Sequence, residues 1–125
     1  ALDVTDFAPI RRLAHEPYAK SIWGMIAHII YSDIHPDLPA TLSPKIINEV
    51  IRGDLGFSGL LLTDDLDMKA LNKYGTIPER ARDSLQAGCD LALYCWADIK
   101  IMEQLAAILP PLSAQGWQRW QDGLN

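Results

Sequence analysis

Three aspartates, Asp64, Asp65 and Asp67, fall within Leu60-Leu61-Leu62-Thr63-Asp64-Asp65-Leu66-Asp67-Met68, directly behind an apolar run. A carboxylate placed where a buried strand surfaces sits on a rigid element, half withdrawn from water, where its basicity can be tuned for nucleophilic or acid–base work. In α/β folds, such groups collect at the carboxyl ends of the strands. Strand alternation puts Leu60, Leu62 and Asp64 on one face and Leu61, Thr63 and Asp65 on the other. At most one of the adjacent pair therefore points into a central pocket, and the other anchors structure. The same acids would serve equally to cap a helix starting near Leu66 or to pair with a cation, and spacing alone leaves both readings open. His28 lies near the end of another apolar run, after Met25-Ile26-Ala27, and reads either as a hydrogen-bonded rim group or as part of a site. His15 and His35 read as solvent-exposed. Cys89 and Cys95 have neither CxxC spacing nor a histidine cluster, so they read as buried free thiols of a reducing compartment, with no metal.

The elements that must position these residues follow from the apolar periodicity. Asp6 is expected to cap a helix over Phe7–His15, which Pro17 ends. The run from Ile22 to Tyr31 reads as a strand buried on both faces, as parallel strands are. Ser32–Leu42, with Pro36 and Pro39, reads as a loop. Ser43-Pro44 opens a helix with an apolar stripe of Ile46, Ile47, Val50 and Ile51, stopped at Gly53 or Gly56. Phe57–Thr63 is the second strand, ending in Asp64-Asp65, and a short helix follows through Met68–Tyr74. Thr76-Ile77-Pro78-Glu79 combines a capping box with a helical-start proline, and Gly88 closes that helix. Asp90–Cys95 is the third strand. Asp98 caps an amphipathic helix containing Ile101, Met102, Leu105 and Ile108, ended by Pro110-Pro111. Gln115–Leu124 forms a tail helix with Trp117 and Trp120 on one side. Strand onsets roughly 32–35 residues apart leave room for right-handed crossovers between parallel strands.

Composition bounds what such a chain does. Its 125 residues make one domain or part of one, and 49% hydrophobic content argues against disorder. No apolar run approaches the roughly 20 residues of a membrane helix. The formal charge of −5 gives no support to nucleic-acid or anionic-membrane binding. The N-terminus lacks the layout of a secretory signal, so a cytoplasmic protein is expected if that is its natural start. Three parallel strands cannot close a barrel of eight, and as an open sheet they leave two bare edges. The chain is therefore expected to be part of a larger barrel, to complete itself through a second copy or companion chain, or to form a small open sheet.

Several segments in register resemble one family. Met25-Ile26-Ala27-His28-Ile29-Ile30-Tyr31, Pro39-Ala40-Thr41-Leu42-Ser43, Arg52-Gly53-Asp54-Leu55-Gly56-Phe57-Ser58-Gly59, Thr63-Asp64-Asp65-Leu66-Asp67-Met68-Lys69-Ala70 and Ala87-Gly88-Cys89-Asp90 are similar, in this order, to bacterial β-N-acetylglucosaminidases of glycoside hydrolase family 3. The opening Asp6-Phe7-Ala8-Pro9-Ile10 resembles the segment that leads into them. The resemblance implies an α/β fold in which residues 1–125 are the C-terminal three βα units of a (β/α)8 TIM barrel, incomplete as given. It also implies retaining removal of terminal β-linked N-acetylglucosamine from peptidoglycan-derived muropeptides in the cytoplasm, with no cofactor. The family nucleophile is the aspartate after the Ser or Thr that ends the strand, which here is Asp64. His28 and Asp65 are expected as substrate-binding neighbours. The family's acid/base is a His–Asp dyad on a mobile loop with Lys-His and Gly-His-Gly patterns, and His15, His28 and His35 lie in no such motif. The isolated chain is accordingly expected to be inactive. Asp67 stands where the family usually has Ser, and Tyr94-Cys95-Trp96 replaces a more polar strand end.

Two other readings compete. One is a catalytically inactive split or truncated half-barrel that acts only through self-association or a partner chain. The other is a phospho-acceptor receiver module with paired acids holding Mg²⁺. The receiver fits poorly, because its acid pair should follow the first strand and a lysine should end a late one. Trp23, Trp96, Trp117 and Trp120 would each stack on a sugar ring or pack internally. Packing is the commoner use, and Trp96 stands apart because it follows the third strand directly.

Overall fold

The computed structural model describes residues 2–125, with side chains from Val4 onward. After a single helical turn at Leu2–Thr5, the order is α1 (Phe7–Ala14), β1 (Gly24–Ile26), α2 (Lys45–Asp54), β2 (Leu61–Asp65), α3 (Ile77–Ala87), β3 (Leu91–Leu93), α4 (Ile99–Ile108) and α5 (Ala114–Asp122). The three strands form one parallel sheet in the order β1-β2-β3. Each crossover therefore contains a helix, as parallel pairing requires.

The sheet has two unlike faces. Ile26 pairs with Thr63, and Gly24 with Leu61. Ile26, Leu61 and Thr63 are all buried, and Ile26 and Leu61 share a core with Ile46, Ile47, Phe57 and Ala87. Burying an Ile or Leu of this kind contributes about 1.5–3 kcal/mol. Met25 pairs with Leu62, and Leu62 with Leu91. That face is open: Met25 is 57% exposed, and Leu62 and Leu91 are only half-buried.

Several helix signals act as their chemistry dictates. Thr76 accepts from the Glu79 N–H while the Glu79 carboxylate accepts from the Thr76 N–H, completing the capping box of α3. That bond to the Thr76 backbone holds the Glu79 carboxyl below the usual carboxylate range. Asp98 accepts the N–H groups of Lys100 and Ile101 at the start of α4. Ser43 Oγ accepts from Ile46 N–H ahead of α2. That helix is wound with i→i+5 bonds, and it ends before Gly56 at a positive φ of 70°.

Other expectations are corrected. The first strand is much shorter than Ile22–Tyr31 and is not buried on both faces, since Ile29 and Ile30 are exposed. The backbone leaves the sheet after Ile26 because its carbonyls find other donors: Thr41 Oγ1 donates to Ala27 and Ala40 N–H to Ile29. The second strand begins at Leu61 instead of Phe57, because the Arg52 guanidinium takes the carbonyls of Phe57 and Gly59. At the other end, Asp64 and Asp65 lie within β2 and not beyond it. The expected helix at Met68–Tyr74 is a single 3-10 turn at Lys69–Leu71. Asp6 makes no capping bond to α1 and instead accepts from the Thr5 hydroxyl. Cys89 is buried but Cys95 is exposed. His35 is half-buried, with Nδ1 2.6 Å from Ser43 Oγ.

The starts of β2 and β3 are tied together by charge. The Asp90 carboxylate accepts from Arg52 at 2.8 Å, Arg119 at 2.7 Å and Leu61 N–H at 2.9 Å. Burial pushes the Arg52 pKa down, with Arg119 adding to the fall and Asp90 opposing it. Arg119 belongs to α5, whose Trp120 also packs on Trp23 with ring centroids 4.8 Å apart. The tail helix is thus fastened to the sheet at its N-terminal edge by one ion-pair group and one aromatic pair. A glycine is required at a close backbone approach on this edge: a Cβ on Gly59 would lie 1.9 Å from the Ile22 carbonyl oxygen.

Candidate active site

Because the strands are parallel, their carboxyl ends share one edge, and this edge gathers His28, Asp64, Asp65 and the Tyr94–Ala97 loop. The contacts there are specific. His28 Nε2 lies 2.9 Å from the Asp65 carbonyl oxygen, which only accepts, so Nε2 carries a proton. His28 Nδ1 lies 2.7 Å from Thr41 Oγ1. His28 therefore bridges the loop after β1 to the end of β2, and both of its ring nitrogens are occupied by protein.

Asp65 is an anchor. Its Oδ1 accepts from Cys95 N–H at 3.2 Å and Asp67 N–H at 3.3 Å, joining the end of β2 to the segment after β3. Thr63 Oγ1 accepts from Leu93 N–H, and Leu66 N–H donates to the Leu93 carbonyl. These bonds accompany the register shift between Leu62 and Asp65 in the β2–β3 ladder. The Cys95 thiol, beside Asp65 and Asp64, has its pKa raised by desolvation and by those two carboxylates. Tyr94 is raised similarly, by desolvation first and then by Asp98, Asp67 and Asp65.

Asp64 differs in kind. Its Oδ1 accepts from the Asp65 N–H at 2.8 Å, and among the described residues no hydrogen-bond donor engages Oδ2. The side chain is half-buried. By alternation along β2 it shares the face of Leu62, and hence of Met25, which is the open face of the sheet. Both carboxylates accept through Oδ1 alone; they differ in that Asp65 Oδ1 ties β2 to the segment after β3, whereas Asp64 lies on the open face at the strand end. That is the arrangement a nucleophile or base requires.

Two supporting residues escaped the sequence. Thr41, fully buried, places its hydroxyl between His28 Nδ1 and the Ala27 carbonyl. Arg80, buried in the first turn of α3, donates to the carbonyls of Leu66 and Gly75 and so fixes the segment that leaves β2. Neither position carries a short-range pattern, because His28 is 13 residues from Thr41 and Leu66 is 14 from Arg80. An apolar cavity of about 340 Å³ lies away from the carboxylates, lined by Phe7, Ile10, Leu13, Ile26 and Phe57 among others. Among the described residues no group of three or more His, Cys, Asp or Glu is arranged to hold a metal ion. No helix among them is long and apolar enough to cross a membrane.

A parallel α/β sheet with a half-free carboxylate at its C-terminal edge is the architecture of a large class of enzymes. Comparison with known proteins narrows the class: the glycosyl hydrolase family 3 N-terminal domain matches residues 2–115, and the chain belongs to that family. The chain is 46% identical over 95 residues to a beta-hexosaminidase of Alkalilimnicola ehrlichii, covering 76% of this chain and 26% of that protein. Among solved structures, NagZ of Neisseria gonorrhoeae in complex with N-trifluoroacetyl-D-glucosamine is 32% identical with a TM-score of 0.76. The match covers 98% of this chain and 34% of that one. A family 3 β-N-acetylglucosaminidase of Paenibacillus sp. FPU-7 is 30% identical with a TM-score of 0.73, over 98% of this chain and 24% of that one. The chain thus spans about a quarter to a third of the length of these relatives.

Proposed function

We propose that this chain carries the nucleophile of a retaining β-N-acetylglucosaminidase, and that residues 1–125 are the C-terminal three βα units of its (β/α)8 barrel. The observation that supports the reading is the difference in place between Asp64 and Asp65: Asp64 shares the open sheet face by alternation along β2, while Asp65 Oδ1 holds two backbone donors that tie β2 to the segment after β3. The open face of Met25, Leu62 and Leu91 is the one a closed barrel would turn inward.

In this reading Asp64 attacks the anomeric carbon of a terminal β-linked N-acetylglucosamine and expels the leaving oxygen, forming a glycosyl ester with inversion. Water then attacks the same carbon and frees the aspartate with a second inversion, so configuration is retained overall. His28 and Asp65 line the same edge and act chiefly by position. His28 holds the Asp65 carbonyl, and Asp65 holds the loop after β3, which together fix the backbone from which Asp64 projects. The substrate class implied by the resemblance is a cell-wall-derived muropeptide handled in the cytoplasm, and the relatives named beta-hexosaminidase support its N-acetylhexosaminide part. The group that protonates the leaving oxygen is not among His15, His28 and His35, so the chain by itself should not turn over an ordinary N-acetylglucosaminide.

A fluoride leaving group needs no protonation, which isolates the nucleophile for testing. The chain is incubated with a 5-fluoro-N-acetylglucosaminyl fluoride, digested, and its peptides weighed. The expected result is one glycosyl adduct on the peptide containing Asp64, lost in Asp64→Ala. An adduct on another carboxylate, or none, refutes the assignment.

A further inference from the structure

Asp64 Oδ1 accepts from the amide of its own neighbour, Asp65, at 2.8 Å. The orientation of that peptide therefore bears on where the carboxylate rests. The other side of residue 65 is held as well. Its carbonyl accepts from His28 Nε2–H at 2.9 Å, and His28 Nδ1 lies 2.7 Å from Thr41 Oγ1. The Thr41 hydroxyl donates in turn to the Ala27 carbonyl at 3.2 Å. These contacts make one continuous path, from a carbonyl just past β1, through Thr41 and the His28 ring, to the residue whose amide meets Asp64.

The far end of the path is rigid. Pro39, Thr41 and Ser43 are fully buried, and Ala40 is nearly so. Ala40 N–H donates to the Ile29 carbonyl at 2.8 Å, and the Cys89 thiol donates to the Thr41 carbonyl at 4.0 Å. His28 has no such support from the sheet, because it lies beyond the last residue of β1 and is only half-buried. Its ring is placed by the two groups it bonds, and of these the Thr41 hydroxyl is the one set in the core.

Resting on the proposed hydrolase reading, we infer that Thr41 is a positioning residue for the nucleophile: acting through His28, its hydroxyl sets the peptide at Asp65 and with it the resting place of the Asp64 carboxylate. Being fully buried, Thr41 meets no substrate itself. The role belongs to the hydroxyl and not to the bulk of the side chain. Valine has nearly the same shape but would leave His28 Nδ1 and the Ala27 carbonyl without that partner. Serine keeps the hydroxyl and gives up only a methyl. An imidazole released at Nδ1 is free to turn from the Asp65 carbonyl, and a reacting group misplaced by about 1 Å loses up to about a hundredfold in rate.

The experiment follows labelling of the 125-residue chain by 5-fluoro-N-acetylglucosaminyl fluoride over a range of concentrations, in wild type, Thr41→Val and Thr41→Ser. Thr41→Val should lower the maximal labelling rate by about ten- to hundredfold, with the half-saturating concentration changed by no more than about twofold. Thr41→Ser should restore most of the rate. Urea midpoints establish that each variant is folded under the assay conditions. A further arm uses wild type alone: the His28 Nε2–H should exchange with solvent at least about tenfold more slowly than the ring N–H of the exposed His15. Equal exchange refutes the inference whether or not the valine variant folds. If folded Thr41→Val labels at the wild-type rate, or if Thr41→Ser is as slow as Thr41→Val, the hydroxyl does not position Asp64, while the nucleophile assignment stands on its adduct. If wild type forms no adduct at Asp64, the hydrolase reading falls and the role of Thr41 falls with it.

Discussion

Replacing Asp90 by Asn should be among the most damaging single changes available to this chain. The side chain is 5% exposed and meets two guanidiniums whose own side chains are 14% and 17% exposed. Asn fills the same volume but carries no charge, and its amide NH₂ would face one of the two donors. The variant therefore leaves two buried cations without a counter-charge and weakens the bond from Leu61 N–H. Removing one member of a buried pair costs about 3–5 kcal/mol, a large fraction of the roughly 5–15 kcal/mol that holds a domain folded. With a urea m-value of about 1–1.5 kcal/mol/M for a chain of this size, the midpoint should fall by about 2–5 M. Asp54→Asn provides the control, because the Arg11–Asp54 pair is largely in solvent and should contribute no more than about 1 kcal/mol. Urea unfolding followed by far-UV circular dichroism measures both. If Asp90→Asn loses less than about 1 kcal/mol, the Arg52–Asp90–Arg119 group is not what secures α5 and the strand starts, and the reasoning fails.

Three further outcomes are expected. Gly59→Ala should destabilise by at least about 1–3 kcal/mol, since its Cβ meets the Ile22 carbonyl and not a movable side chain; thermal unfolding reads this, and a Tm unchanged from wild type would contradict the close approach. The Glu79 carboxyl is held below its ordinary range by the Thr76 N–H, so its contribution is present above the unfolded-state pKa and is lost as pH falls through the folded one. The stability gap between wild type and Glu79→Gln should accordingly close on acidification into that range, and a gap that grows instead would reverse the sign. Burial pushes the Cys89 thiol up to about 12, whereas Cys95 is exposed. At pH 8 a maleimide should modify Cys95 alone, and both thiols only in denaturant. Equal labelling in the native state would mean that Cys89 is not packed where the structure puts it.

What the sequence revealed is local chemistry. The capping box at Thr76 and Glu79, the Asp98 cap, the Ser43 start and the order of three strands all depend on residues within a few positions of one another. Alternation along Leu60–Asp65 also puts Asp64 and Asp65 on opposite faces before any coordinates are known. The strand limits were hidden because distant groups set them: Arg52 removes Phe57 and Gly59 from the ladder, and Thr41 draws Ala27 out of β1. The Asp90–Arg119 contact joins residues 29 apart in sequence, and no short pattern announces it. The exposure of Cys95 and Trp96 was equally hidden, since an apolar run ending in Tyr94-Cys95-Trp96 looks like the interior of a strand.

The Arg52–Asp90–Arg119 group sits at the opposite rim of the sheet from Asp64. Substitutions in the Tyr94–Ala97 loop are thus far from the contacts that keep the chain folded. Natural variation there should leave the fold standing. A laboratory library randomised at residues 94–97 should yield folded members at high frequency, whereas one randomised at positions 52, 90 and 119 should yield few.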